Sequence, residues 1–499
     1  MDDTKGFHTI NERGDKLFIK KVIDSYGTTH TLTEQLGETG GQGIVFKTKN
    51  PKIAVKFLLG KHNYTDQTET PFVYDKKISS KKFIENAINI EKIIKKPFPK
   101  NSHISYPMAR LEYYSGYVML FMEDMCDFSD LIDKNKVIQV GGLRRKYDLL
   151  AKLSIILSKL HSLGMVYCDI SLNNVFMTNN INYENQNIWL IDADNIYIPS
   201  IEQGGFAYTL KYAAPEIVNS QSCCSTNSDI YAFASLAFEV IFNLLPFAGK
   251  KTANWYSQDD SSEDDWDAEV PEQKSTPKTV IDPRFSGKYA WILDFNDDSN
   301  RLEGLSPQNA GLYITNSIYI LFSLMFTDGK NEPALRPPSF IWTKYLFEAK
   351  DLVINCSNPN CEHSFIFNTT ITNCPYCNEK LPEMIQIFKN DKLIFVHELN
   401  FHSFEHFYLP ERLFLPFNNE TGNKSYFEVT PQNTNGKSIE FKLLNTNIDD
   451  KFYILNKTLN TEKQIINKIT MELENNNSYI LCNKSKIKDR QIELKIVVK

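Results

Sequence analysis

The sequence predicts an α+β chain of several domains. Three observations carry that expectation: a strand-rich opening, a long helical middle, and a tail of short β-like runs beyond a cluster of four cysteines. From about Asp15 to Phe57, short apolar runs (Leu17-Phe18-Ile19, Ile44-Val45-Phe46, Ile53-Ala54-Val55) alternate with glycine-rich breaks, as strands joined by turns do. A helical pattern follows from about Ser80 to Lys95. A mostly helical stretch then occupies roughly 145–350 and closes on Pro337-Pro338 and a last helix through Trp342, Leu346 and Ala349. Inside it, Gln258 to Glu272 is so rich in Ser, Asp and Glu that it cannot bury a core, so it reads as an exposed acidic insertion. Beyond the cysteines, 384–499 repeats segments such as Ile385-Gln386-Ile387, Ile439-Glu440-Phe441 and Ile492 to Val498 between turn-prone Asn, Asp and Gly. An all-β sandwich is expected there.

Composition sets outer limits. The 499 residues allow two to four domains with real cores. A net charge of −6 and a pI near 5.9 give no global pull toward nucleic acid or an anionic membrane, so any phosphate binding must be local. Met1-Asp2-Asp3-Thr4 is acidic where a signal peptide is basic and then apolar. The longest apolar stretch, Ile230 to Phe247, is broken by Glu239 and Asn243 and reads as a buried core helix, not a membrane span. A cytoplasmic location follows as an expectation. The nine cysteines are unevenly spread, which suits metal binding plus free thiols better than a disulfide frame.

Four motifs carry chemistry. Leu36-Gly37-Glu38-Thr39-Gly40-Gly41-Gln42-Gly43-Ile44-Val45 joins two strand-like runs, and its glycines let backbone N–H groups approach phosphate oxygens. Lys56 lies within the apolar run Ile53 to Phe57, where a buried ammonium needs an anionic partner. Tyr167-Cys168-Asp169-Ile170-Ser171-Leu172-Asn173-Asn174 follows a helix ending in Leu160-His161. Leu190-Ile191-Asp192-Ala193-Asp194 comes next, so that Asn174 and Asp192 offer hard oxygen ligands of the kind Mg²⁺ prefers.

In this order the motifs resemble those of the protein kinases. The resemblance covers roughly residues 30–347 and implies a bilobal kinase fold that uses ATP and Mg²⁺. Gly37, Gly40, Gly41, Gly43 and Val45 would cover the nucleotide, and Lys56 would hold its phosphates. Asp169 would be the catalytic base, Asn174 and Asp192 the Mg²⁺ ligands, and Thr209 the residue that touches Asp169. Tyr117 to Met122 resembles the strand that enters the adenine-binding hinge, with Leu120 and Met122 against the base; an ordinary core strand reads the same way. Ala214-Pro215-Glu216 resembles the end of the activation segment, Asp229 the aspartate that begins the central helix, and Arg336 the partner of Glu216.

The family also needs a helix glutamate to hold the lysine. Glu85 and Glu91 are the candidates. Counting Phe83, Ile84, Ala87, Ile88, Ile90 and Ile94 as one apolar face puts Glu91 near that face and Glu85 opposite it, so Glu91 is expected to pair with Lys56.

Departures from the family pattern narrow the expectation. Glu38 stands where the first glycine of the loop is usual, and Tyr167-Cys168 replaces His-Arg before the base. The absence of that arginine implies activity without activation-loop phosphorylation. Ser171 replaces the lysine usual in Ser/Thr kinases. Asp194 replaces a glycine; it could recruit further Mg²⁺ or restrict the loop, but a solvated turn acid is the favoured reading. The motif set is most similar to bacterial Hanks-type (eukaryotic-like) serine/threonine protein kinases of the soluble branch, which act in stress or defence signalling and are commonly encoded beside phosphatases. Abundant Asn, Ile and Lys fit such an AT-rich source. The likeness implies a protein substrate, autophosphorylation and a cognate phosphatase. The rival expectation is an ATP-binding pseudokinase scaffold that recruits partners through its C-terminal domains.

Cys356 and Cys361 form one pair, and Cys374-Pro375-Tyr376-Cys377 supplies the other. Two tight turns that each present two thiolates close a tetrahedral Zn²⁺ site, and four sulfurs leave no open position, so the metal would be structural. His363 is the alternative to Cys361. Glu362, Glu379 and Glu383 nearby argue against nucleic acid as a partner. The expected layout is an N-terminal extension over 1–29, a kinase N-lobe over 30–122, a C-lobe over 123–350 with the insertion near 257–272, a zinc ribbon over 351–382 and a β-rich domain over 383–499.

Overall fold

Alternating apolar residues build the first sheet. In the computed structural model, residues 7–10, 16–37, 43–62, 70–77, 80–99, 101–133, 141–179, 187–202, 207–252, 282–403, 405–415, 417, 424–433, 437–444, 451–473, 479–484 and 492–498 are described. The acidic insertion and Gly40 and Gly41 lie outside them. The chain divides into two compact units. One holds Met1–Ser129, Lys159–Phe233 and Ala253–Lys288; the other holds Asp130–Ser158, Ala234–Thr252 and Tyr289–Lys499.

The first unit carries an antiparallel sheet in the order Lys21–Ile23, Thr29–Leu36, Gly43–Thr48, Ile53–His62, Gly116–Leu120, Ala109–Arg110, with Thr70–Val73 also paired to Ile53–His62. The sheet thus starts ahead of residue 30, and Val22 is already in its core. Val55 and Phe57 pack with Ile44, Phe46, Leu111 and Val118 on one face. Ala54, Tyr117 and Met119 lie on the other, against Ile90 of the helix Ser80–Ile94. Because strand side chains alternate, Lys56 shares this helix-facing side with Ala54.

The helix forms over the expected residues but is turned differently. It buries Phe83, Ile90 and Ile93, whereas Ile84 and Ile88 are 56% and 51% exposed. Counting those two isoleucines drew the expected face toward Glu91. The true face lies roughly 110° from Glu91 by helical periodicity. Further on, Met125–Asp127, Val175–Thr178 and Ile188–Leu190 form a small antiparallel sheet that frames the loop between residues 167 and 174.

The helix Thr226–Phe242 is buried continuously from Asp229 to Ile241, as expected of a core helix. No helix among the described residues is long and apolar enough to cross a membrane. In the second unit Phe238 packs edge-on to Phe322 (5.2 Å between centroids), and Phe322 packs likewise against Trp342 (5.1 Å). The hairpin Val353–Asn355 with Ser364–Ile366 follows the helix Ser339–Lys350.

The described part of the tail is mostly β, in two antiparallel sheets. Six strands run in the order Lys392–Glu398, Met384–Lys389, Ile492–Val498, Tyr479–Lys484, Lys451–Asn456, Thr461–Ile465. Four run Phe407–Pro410, Ser425–Asn433, Lys437–Leu443, Lys468–Glu472. Residues of both, among them Ile385, Phe395, Phe427, Phe441, Phe452 and Leu481, share one core.

Candidate functional site

The site is assembled within the first unit, from two strands and two loops. Lys56 sits on Ile53–His62 opposite Val45 on one neighbouring strand and Tyr117 on the other. Gly43 lies where the glycine loop re-enters the sheet. A Cβ there would stand 2.7 Å from the Phe57 carbonyl and 3.0 Å from Lys56 Cε, so the lysine's path requires a glycine. Gly37, at the loop's other end, has φ +66°. Leu120 ends its strand half-buried, with its carbonyl oxygen taking the Ser105 hydroxyl at 2.8 Å, and Met122 lies half-buried just beyond.

Asp229 shapes the loop that carries Asp169. It is fully buried and accepts the backbone N–H groups of Tyr167 (2.7 Å) and Cys168 (2.9 Å) while pairing with His161 at 2.9 Å. These bonds hold Cys168 at φ +75°, a left-handed conformation that a non-glycine residue adopts only when its surroundings impose it. The Tyr167 hydroxyl donates to the Ile191 carbonyl, and Ile191 N–H donates to the Asn174 carbonyl at 3.0 Å, which ties the two loops together.

Asp169 therefore emerges in a fixed setting. The Thr209 hydroxyl donates to its Oδ1 at 2.6 Å, and Asn174 Nδ2 donates to its Oδ2 at 3.0 Å and its carbonyl at 2.9 Å. Burial raises the Asp169 carboxyl above its ordinary value, against the opposing pull of these bonds, which favours accepting a proton. Because its nitrogen is spent on Asp169, Asn174 keeps the oxygen Oδ1 as the atom to offer a cation. Asp192, left-handed at φ +53°, brings a second carboxylate from the adjoining loop. Two hard oxygen donors on segments bonded to each other fit Mg²⁺, which takes few protein ligands.

The expected pair of Lys56 and Glu91 is not formed. Lys56 is 3% exposed, and its ammonium lies 3.0 Å from Asp192 Oδ1 and 3.2 Å from Asp194 Oδ2. Burial pulls its pKa down, but Asp194, with Tyr117 and Asp192, outweighs burial and holds it well above the ordinary lysine value. Glu91 instead meets Arg110 at 3.1 Å. Asp194 is likewise no solvated turn acid, since its carboxylate is 15% exposed and engaged with the lysine. Tyr117 adds a buried side chain beside the lysine, its ring centroid 5.9 Å from Lys56 Nζ. Sequence reading passed over Arg110, took Tyr117 only as part of a strand, and favoured a solvated turn acid for Asp194. The available signal was the second acid of Asp192-Ala193-Asp194, two charges beside one buried lysine.

The cysteines also converge. Sγ of Cys356, Cys361, Cys374 and Cys377 all lie within 4.8 Å of one another, with Cys356 to Cys377 at 3.5 Å and Cys361 to Cys374 at 3.8 Å. Four sulfurs at the ordinary Zn–S length of about 2.3 Å stand about 3.8 Å apart, so the set fits a tetrahedral zinc ion and not two disulfides. The His363 ring stacks on Tyr376 at 4.1 Å with its Nδ1 3.6 Å from Cys361 Sγ, and the group whose ligand atoms all converge is the four cysteines.

Comparison with known proteins agrees with the first unit's geometry. The sequence model of the protein kinase domain matches residues 30–299. Ribosomal protein S6 kinase alpha-3 of Mus musculus and of Homo sapiens is 35% identical over 105 residues, and so is ribosomal protein S6 kinase 2 alpha of Xenopus laevis. Those matches take in 20% of this chain and 13% of the relatives' length. With more than half of its residues matched by the domain, the chain belongs to the protein kinase family.

Proposed function

We propose that the chain transfers the γ-phosphoryl group of ATP to a protein hydroxyl, of Ser or Thr by likeness to Hanks-type kinases. The observation that carries this reading is Asp169, held between Thr209 and Asn174 with its carboxyl raised by burial. In that role Asp169 orients the acceptor hydroxyl and receives its proton. Lys56 binds the α- and β-phosphates beneath the loop from Gly37 to Gly43, and Val45, Leu120 and Met122 line the adenine side. Asn174 and Asp192 hold Mg²⁺, which when bound neutralises phosphate charge. Phosphoryl transfer depends mainly on positioning and charge, so losing one of these groups costs on the order of 10²–10⁴ in rate. The four cysteines hold a structural Zn²⁺ in the same reading. Stress or defence signalling in a bacterial cytoplasm is the setting that the Hanks-type likeness suggests.

The test is transfer from γ-labelled ATP with Mg²⁺ to a generic protein acceptor, for the wild type, Asp169→Asn and Lys56→Ala. Labelling by the wild type alone supports the kinase. Nucleotide binding with no labelling in any of the three would leave a pseudokinase scaffold. Variants that label as well as the wild type would refute the assignment of Asp169 and Lys56.

A further inference from the structure

We propose that Asp194 is the positioning residue of Lys56, holding the lysine from the metal-binding loop where Glu91 was expected to hold it from the helix. The inference rests on reading Lys56 as the phosphate-binding lysine. A buried ammonium is stable only beside a compensating charge, and the structure provides two, Asp192 at 3.0 Å and Asp194 at 3.2 Å.

The two acids are not equivalent. Asp192 is 34% exposed and is the candidate metal ligand, so its charge has a second claim on it. Asp194 is the more buried of the two, at 15% exposed. Its Oδ2 faces Lys56, while its Oδ1 is buried without a hydrogen-bond partner among the described residues. A carboxylate so placed is unfavourable unless a cation beside it compensates. Asp194 therefore depends on Lys56 for its compensating charge, and Lys56 draws on Asp194 beside Asp192.

Local backbone explains how Asp194 arrives. The left-handed Asp192 is followed by the short 3-10 turn Ala193–Asn195, with Ala193 fully buried beneath it, and this turn brings both carboxylates to the lysine. The helix does not compete. Its face is set by Phe83, Ile90 and Ile93, which leaves Glu91 38% exposed and bonded to Arg110 on the strand that pairs with Tyr117.

The experiment is a thermal double-mutant cycle on the full chain without nucleotide, joined to transfer kinetics. Asp194→Asn is expected to lower the unfolding temperature in the wild type, where it strips Lys56 of a partner. In a Lys56→Met background the same change is expected to raise it, because there Asp194 is a buried charge with no cation. In transfer assays Asp194→Asn is expected to lower kcat/KM by roughly tenfold or more, and Glu91→Gln several-fold less than that. An equal thermal effect of Asp194→Asn in both backgrounds would overturn the proposal, as would Glu91→Gln costing as much activity as Asp194→Asn. A wild type that transfers no phosphate would defeat the kinase reading alone, since the thermal cycle still decides whether Asp194 holds Lys56.

Discussion

At the scale of single residues, Asp229 shows how a buried carboxylate shapes the loop that carries Asp169. Its two oxygens accept two backbone N–H groups and pair with His161. Asparagine at 229 would turn an NH₂ toward at least one of these donors, so the strained Cys168 would lose a bond that fixes it at φ +75°. Asp229→Asn is expected to cut kcat by about 10–100-fold with little change in the KM for ATP, because the phosphate-binding strand is untouched. A variant with normal kcat would show that the loop holds itself. The meeting of Asp169, Asn174 and Thr209 was legible in the sequence because the motifs that carry them keep the order and spacing of the kinase pattern. The partner of Lys56 was not. Periodicity counts an isoleucine as buried wherever it falls, yet Ile84 and Ile88 face water, and with them removed the helix offers no reason for Glu91 to point at the lysine.

At the scale of elements, the cysteine hairpin and the strand Lys392–Glu398 each make an expectation testable. The hairpin's small core includes Ile354, Phe365, Phe367 and Cys374, too little apolar surface to order two knuckles unaided. One zinc per chain is therefore expected by elemental analysis. Chelation or Cys374→Ser should lower the unfolding temperature, because metal affinity here is folding energy. A chain purified without metal and equally stable would argue against zinc.

On the strand, His397 is stacked on Phe407 at 4.2 Å. Burial lowers its pKa from 6.5 to about 4, and the Arg144 charge adds to the fall, against Glu398. The unfolded chain then binds a proton that the folded one refuses between about pH 6.5 and pH 4, so stability is lost as pH falls through that window. Replacing His397 by Gln should flatten the slope of urea-unfolding free energy against pH there; an unchanged slope would assign it to other groups. Cysteine spacing announced the knuckles, and alternation announced the strands. Neither could announce His397, whose behaviour comes from burial and from Arg144, a residue some 250 positions earlier that only the fold brings near.

At the scale of the molecule, the second unit joins helices to tail by an ion pair, hydrogen bonds and a ring contact that cross the expected domain boundary near 350. Arg144, near the start of the helix Gly142–Ser162, donates to the Val353 carbonyl and pairs with Glu398 at 2.8 Å. Leu143 N–H donates to the Ser364 hydroxyl at 2.7 Å, and Gly142 is held so close that a Cβ would stand 2.9 Å from that oxygen. Asp351 takes Arg412 Nε at 2.8 Å, and the Arg412 guanidinium lies over the Phe347 ring. Arg144 is 12% exposed, so removing Glu398 would leave a nearly buried cation without its carboxylate.

Breaking such a pair costs on the order of 3–5 kcal/mol, far above the value of a surface ion pair. A fragment ending at Lys350 is therefore expected to unfold roughly 5–10 °C below the full chain or to fail to accumulate, although it contains every residue proposed for phosphoryl transfer. Glu398→Gln in the full chain should reproduce part of that loss, and Arg144→Met combined with Glu398→Gln should recover some of it by removing the stranded cation. If the fragment melts with the full chain, the hairpin and sandwich are passengers. If it melts lower and the double variant recovers, the tail is part of the scaffold on which the large helices stand.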